Sequence, residues 1–247
     1  MTDGEFDQMA SWTVEAIERL GRDHAIPGAC RGSGGPAAMA WLSTWLVRPG
    51  ATPFLDLGGG LGGPSAWLSD QHDLRPVVAE PMLAAVEGAR RLFHGCALQA
   101  DGVALPFADA TFGAAWCLGV LSTAPDRRGL LHELARVVRP GGRIGLVAYL
   151  ATGSTSITEP EGNHFPTGSE FAAGLAHAGL RVQSAIGLDD LPDAGSEWDR
   201  RADAVDLDIE RHHASAPAWA RSRAAEDHVA AMLEAGRIEG RAVRLDR

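Results

Sequence analysis

The chain has 247 residues, 45% of them hydrophobic, and a formal net charge of −10. It is long enough for one α/β domain with a buried core, too apolar to be disordered, and too acidic for a phosphate-backbone binder, which needs a basic face. Its three cysteines, Cys30, Cys96 and Cys117, form neither a disulfide framework nor a close metal-ligand pair.

The opening MTDGEFDQ lacks the basic start and apolar run of a secretory leader. No apolar stretch nears the ~20 residues of a membrane span. A cytoplasmic protein is expected, with no membrane or nucleic-acid partner; the oligomeric state is unknown from the sequence. Residues 5–20 put Phe6, Met9, Thr13, Ile17 and Leu20 on one side at helical spacing, which predicts an amphipathic helix. A glycine-rich loop, HAIPGACRGSGGP, leads to a second helix over 39–47, in which Trp41 is expected to stack over Trp45.

From residue 51 the pattern becomes strand, turn, helix, repeated. Apolar runs at 53–57, 77–79, 97–99, 114–118 and 144–150 suit strands buried on both faces. Helical stretches such as 82–93 and 127–138 separate them. This alternation predicts a Rossmann-like, doubly wound α/β fold with a mostly parallel sheet and helices on both faces. A helix near 169–178, a strand near 180–188, two polar helices and a strand around 241–245 follow, giving seven strands, the last fitting antiparallel.

The sharpest local signal is FLDLGGGLGGPSAWL, residues 54–68. A strand ends at Asp56, a glycine run turns the chain, and Pro64-Ser65 opens a helix. Glycines there let a ligand approach the backbone and supply positive φ. Gly58, Gly60 and Gly63 fit the dinucleotide pattern G-x-G-x-x-G, whereas Asp56, Gly58, Gly60 and Gly62 fit D-x-G-x-G-x-G. Glu80, at the end of the next strand, can accept both hydroxyls of a ribose. An acidic residue at that spacing suits NAD equally well.

Asp101 follows the third strand, then LPFADATF, the strand AAWCLGVL, a helix running into HELARVVRPGG, and the strand RIGLVAYL. With these the chain resembles the class I S-adenosylmethionine-dependent methyltransferases, and within them the small-molecule branch of ubiquinone/menaquinone-type and sarcosine-type enzymes. The resemblance covers about 51–150 well and the C-terminal third loosely. It implies S-adenosylmethionine as cofactor and methyl transfer to an N, O or C atom of a small molecule. Residues 1–48 would be a helical lid over a cofactor-binding domain at 49–247.

Position by position, the resemblance implies that Asp56 orients the glycine loop near the ligand's amino group. Gly58 and Gly60 bring backbone against its methionine and ribose portions. Glu80 accepts the ribose hydroxyls, Met82 or Leu83 packs on the adenine face, and Asp101 accepts the adenine amino group, with the Gly102 N–H turned toward the ring. Cys117 and Leu118 line the site near the sulfonium. Arg31 in the N-terminal loop pairs with the methionine carboxylate, which suits a guanidinium fork. One departure stands out: the family usually has Phe-Asp before the fourth strand, and this chain has Phe112-Gly113.

Motifs that would specify the acceptor are missing. CLGVL is not the NPPY-like turn of amino-methylating nucleic-acid enzymes, no Pro-Cys nucleophile occurs, and no carboxylate cluster for Mg²⁺ stands out. His164, in EGNHFPTGSEF, is the candidate base, and Tyr149, the only tyrosine, a candidate to position the acceptor. No metal is expected, since His212 and His213 adjoin on a helix and face different ways. Two other readings remain: a cofactor-binding partner or regulatory subunit without catalysis, and an NAD-dependent oxidoreductase. Asp56 and the later motifs disfavour the second.

Overall fold

The structure is a computed structural model that describes residues 3–153, 158–193 and 195–247; the first two residues of the expected lid lie outside it. Among the described residues seven strands form one sheet: β1 (Phe54–Leu57), β2 (Val77–Glu80), β3 (Cys96–Gln99), β4 (Phe112–Leu118), β5 (Val138–Ala151), β6 (Arg181–Gly187) and β7 (Ile238–Asp246). Their order is β3-β2-β1-β4-β5-β7-β6. Neighbours from β3 to β5 are parallel, while β7 runs antiparallel between β5 and β6. Sequence order reverses between β1 and β4, so a crevice opens at their carboxyl ends, where folds of this kind take ligands.

The helices are α1 (Asp3–Leu20), α2 (Ala25–Gly28), α3 (Gly35–Leu46), α4 (Gly63–His72), α5 (Leu83–Phe93), α6 (Arg127–Val137), α7 (Gly168–His177), α8 (Ser196–His213) and α9 (Pro217–Glu234). One sheet face buries Leu55, Leu57 and Leu146 under Leu130, Leu134 and Leu175 of α6 and α7. The other buries Phe54, Trp116 and Val147 under Met39, Leu42 and Leu46 of α3 and Leu68 of α4. Burial on both sides explains why β4 reads as an unbroken apolar run, with all seven positions buried.

The apolar stripe of α1 is spent on other helices. Met9, Val14 and Ile17 pack with Ala85 of α5 and with Val205 and Ile209 of α8. The Asp7 carboxylate accepts from Ala84 N at 3.1 Å, capping α5, whose own N-cap residue Met82 offers no side-chain bond. With α1 and α3 both built into the core, the part of 1–48 that crosses the ligand edge is the connection 29–35. Trp41 and Trp45 do not stack on each other. Arg244 lies over Trp41 and Arg143 over Trp45, each guanidinium 3.7 Å from the ring centre.

Phe112-Gly113 has a packing reason: a β-carbon at Gly113 would overlap Gly50 O and the Arg139 guanidinium. Among the described residues no helix is long and apolar enough to cross a membrane.

Candidate active site

The site begins where β1 ends. Gly58 N–H donates to Ala79 O at 2.8 Å, carrying the β1–β2 ladder one step past the strand. Gly58, Gly60 and Gly62 then take φ of 69°, 53° and 79°, a region that favours glycine. The loop wraps the Asp56 carboxylate so closely that a β-carbon at Gly59 would lie 2.7 Å from Asp56 Cγ. Ser65, in the first turn of α4, donates to Asp56 Oδ2 at 2.6 Å.

Asp56 is only 1% exposed. Burial pushes its carboxyl from 3.8 up to about 6, against the pull of the Ser65 hydroxyl, the Trp116 indole and the Ser65 backbone N–H. The indole faces Asp56 across the β1–β4 register and favours the charged form, although its N–H makes no hydrogen bond of good geometry.

Glu80 closes the far side of the loop. Its Oε2 accepts from Gly60 N at 2.9 Å and its Oε1 from Met82 N at 3.2 Å. Burial raises its carboxyl above the usual range, with those two N–H groups opposing and Asp56 and Asp7 adding to the rise. A carboxylate has about four lone-pair sites, so two remain for hydroxyl donors.

Asp101 is exposed and turns the chain by accepting from Val103 N at 3.1 Å. Gly102 is buried against α6, where a β-carbon would lie 2.8 Å from Leu130 Cδ1. The loop beyond is held by a pair that the sequence reading missed. Glu133 Oε2 accepts from Leu105 N at 2.9 Å, and Arg136 donates to Phe107 O at 2.8 Å and Leu105 O at 3.2 Å. Glu133 and Arg136 also pair directly, at 2.6 Å. Their acid–base spacing of i, i+3 in HELARV was the available signal.

The expected residues at the end of β4 divide. Cys117 is fully buried in the α6 face of the core, so its side chain does not line a cleft; burial, with Asp56 and Glu80 nearby, pushes its thiol up. Leu118, on the opposite face by strand alternation, packs in the cluster that holds Cys30. Next comes Gly119 at φ 77°, which the sequence reading also missed, where a β-carbon would run into Gly32 O. A β-carbon at Gly63 would likewise lie 2.6 Å from Ala29 O. The 29–35 connection therefore rests on both the glycine loop's exit and the end of β4.

Arg31, expected to meet the methionine carboxylate, has partners within the protein in this structure. It pairs with Asp206 of α8 and with Glu226 of α9, the latter at 2.8 Å, so both arms of its fork meet carboxylates of the protein itself.

Beside the connection is a cavity of about 320 Å³, lined by Cys30, Gly32, Gly34, Tyr149, Leu188 and Asp189 among others. Burial raises the Tyr149 phenol above its ordinary range. Tyr149 also packs with Phe165, the neighbour of His164 in sequence. His164 Nδ1 lies 3.0 Å from Glu159 Oε2, Phe165 N donates to Glu159 Oε1 at 2.7 Å, and His164 N donates to Ser122 O at 2.7 Å. Glu159 thus holds the ring by Nδ1, and among the described residues no hydrogen bond to Nε2 is formed. Among the described residues no group of three or more His, Cys, Asp or Glu is placed to hold a metal ion.

Residues 55–146 match the family described as Methyltransferase domain. The chain is 30% identical over 202 residues to an uncharacterized methyltransferase of Mycobacterium sp. (strain KMS), covering 74% of this chain and 73% of that protein. The chain belongs to the class I S-adenosylmethionine-dependent methyltransferases.

The 27-O-demethylrifamycin SV methyltransferase of Amycolatopsis mediterranei (strain S699) is 29% identical over 148 residues, 53% of this chain and 54% of that protein. The solved structure of the [4+2]-cyclase SpnF shares the fold, with a TM-score of 0.67 at 20% identity over 85% of this chain and 79% of that one. The methyltransferase chain spans 38% to 54% of the length of several curated relatives it matches. Its glycine loop fits the family's cofactor: Gly60 has open space where a β-carbon would stand, and Glu80 holds spare acceptor sites beside it.

Proposed function

We propose that this methyltransferase moves the methyl group of S-adenosylmethionine to an N, O or C atom of a small molecule, in the cytoplasm and without a nucleic-acid partner. The observation that carries this reading is how the 29–35 connection is packed: it lies against the exit of the glycine loop at Gly63 and the end of β4 at Gly119, and its Cys30, Gly32 and Gly34 line the cavity beside Tyr149. The rifamycin-type relative is named for a small-molecule acceptor, in keeping with it.

S-adenosylmethionine supplies a methyl carbon already activated by its positive sulfur. Glu80 accepts the ribose hydroxyls with its free lone pairs, Met82 packs on the adenine and Asp101 accepts from its amino group, with Gly102 beside it. Asp56 holds the loop's exit through the Ser65 hydroxyl and backbone N–H, and so supports Gly58 and Gly60 in their ligand-facing conformation. Leu118 and the Cys117 backbone border the sulfonium end. The protein's remaining task is alignment and, for a protonated acceptor, proton removal. His164, turned by Glu159, takes that proton at Nε2, and Tyr149 orients the acceptor.

Incubating the protein with methyl-labelled S-adenosylmethionine and fractionated small-molecule extract should release S-adenosylhomocysteine and label a low-mass product. Cofactor binding without labelled product from any fraction would leave a non-catalytic binding protein as the better reading.

A further inference from the structure

All 22 basic side chains of the molecule are arginine. Arg48, Arg139, Arg143, Arg244 and Arg247 gather at the amino edge of the sheet, opposite the ligand edge. They come from the loop after α3, the start of β5 and the end of β7.

Among the described residues none of these five forms an ion pair with a carboxylate within 4 Å. Arg48 donates to Gly141 O, Arg139 to Thr52 O at 2.7 Å, Arg143 to Trp45 O at 2.6 Å, and Arg247 to Val138 O. Arg244 donates to Trp41 O and, at 2.6 Å, to Thr44 Oγ1, while its buried Nε has no hydrogen-bond partner among the described residues. Asp246 stands opposite Arg143 in the β5–β7 register, yet forms no ion pair with it within 4 Å. By contrast Arg31, Arg136 and Arg241 each hold a carboxylate.

The positions follow from strand and helix geometry. Arg244 pairs with Gly145 in register, two residues from Arg143, so the two guanidiniums are diagonal neighbours on one sheet face. Trp41 and Trp45 are one helical turn apart on α3, which gives each guanidinium an indole to lie on. Burial and then the charge of Arg48 lower the Arg143 pKa, Asp246 opposing; burial and then Arg143 lower that of Arg244. The cluster is a fixed concentration of positive charge, offset only in part by Asp246, in a chain of net charge −10.

We propose that this edge is a docking surface for an acidic polypeptide segment of a partner protein, with Asp and Glu carboxylates seated on the guanidinium forks. Carboxylates match the planar forks, and side chains pinned in advance lose little freedom on binding. A nucleic acid fits less well: a guanidinium already covers a face of each indole, removing the base-stacking platform. A membrane fits less well too. Among the described residues Val182 is the one large exposed apolar side chain near this edge, too little to enter a bilayer.

The test is fluorescence anisotropy with a labelled poly-glutamate peptide and the full chain. The peptide should bind, more weakly as salt rises. Arg48→Glu with Arg139→Glu should weaken it by about tenfold while leaving the S-adenosylmethionine dissociation constant unchanged. Arg48→Gln alone, in an exposed loop, should weaken it by about threefold and serves if the double variant misfolds. Unchanged peptide affinity in folded variants would overturn the proposal. So would stronger binding of an oligonucleotide or of phosphatidylglycerol vesicles, or a salt-sensitive dimer of the chain alone by light scattering.

Discussion

A β-carbon at Gly119 would overlap the carbonyl oxygen of Gly32, so the end of β4 and the N-terminal connection are fitted to each other at the ligand edge. Gly119 also holds φ at 77°, which an L side chain adopts at a cost. Gly119→Ala should therefore lower stability by more than about 1 kcal/mol in urea unfolding, since strain and overlap add. It should also speed hydrogen exchange in residues 29–35. Wild-type stability and exchange would mean that the connection does not rest on β4 in solution.

Glu80 ties the glycine loop to the start of α5 with both oxygens and has acceptor sites left over. Glu80→Ala should weaken S-adenosylmethionine binding by about 1.5–3 kcal/mol, the scale of hydrogen bonds to a charged group. Calorimetry is the direct measure. A folded Glu80→Ala protein that binds the cofactor as wild type does would take Glu80 out of the ribose role.

How much of this was legible in the sequence depends on the range of the forces involved. The parallel strands announced themselves because burial on both faces leaves an apolar run, and the glycine loop because positive φ selects glycine. The destinations of α1 and Arg31 were not legible. An apolar stripe declares that a helix is buried without naming what buries it, and α1 went to α5 and α8. Arg31 found carboxylates 175 and 195 positions away in sequence, in helices whose placement only the fold decides. Strand alternation puts Cys117 and Leu118 on opposite faces of β4, but with both faces buried the pattern could not say that either side chain lies in the core and not in the cleft. Gly113, an oddity in the motif, became intelligible once Gly50 and Arg139 were seen packed on it.

Asp56 makes the stability of the fold depend on pH. Its carboxyl rises from 3.8 to about 6 on folding, so the native state holds the proton more tightly than the unfolded chain does. Its contribution therefore favours folding at low pH and is lost as pH rises through that window, by up to about 3 kcal/mol for a shift of about two units. Asp56→Asn, which can still accept from Ser65, removes the titration. The stability of Asp56→Asn relative to wild type should climb between about pH 4 and pH 6 and level off above. A flat difference across urea titrations at several pH values would show that Asp56 stays charged in the folded protein.

Arg136 braces the loop that follows Asp101. It holds Phe107 O, Leu105 O and Asp109, while its partner Glu133 takes Leu105 N. Arg136→Ala frees these groups and should cost about 1–3 kcal/mol of stability. Exchange in residues 101–109 should rise more than elsewhere, and cofactor affinity should fall through loss of loop order. Uniform loosening of the whole chain would mean that Arg136 supports α6 in general and not this loop.

Arg31 presents two roles that measurement can separate. In this structure it ties the 29–35 connection to Asp206 and Glu226, and its side chain is 36% exposed, so the pairs are screened and worth under about 1 kcal/mol. We propose that it exchanges partners, leaving Asp206 for the methionine carboxylate when the cofactor arrives, so that the connection acts as the lid. The glycines at 32, 34 and 35, all at positive φ, give the segment its freedom. Arg31→Ala should then weaken S-adenosylmethionine binding, whereas Asp206→Asn, which removes the competitor, should tighten it. Cofactor should protect residues 29–35 from exchange in wild type and less so in Arg31→Ala. If Arg31 is only a fastening of the connection to α8 and α9, the two substitutions act alike: both speed exchange in 29–35 and neither tightens binding. Opposite signs for the two variants are the result that partner exchange requires, and equal signs would end it.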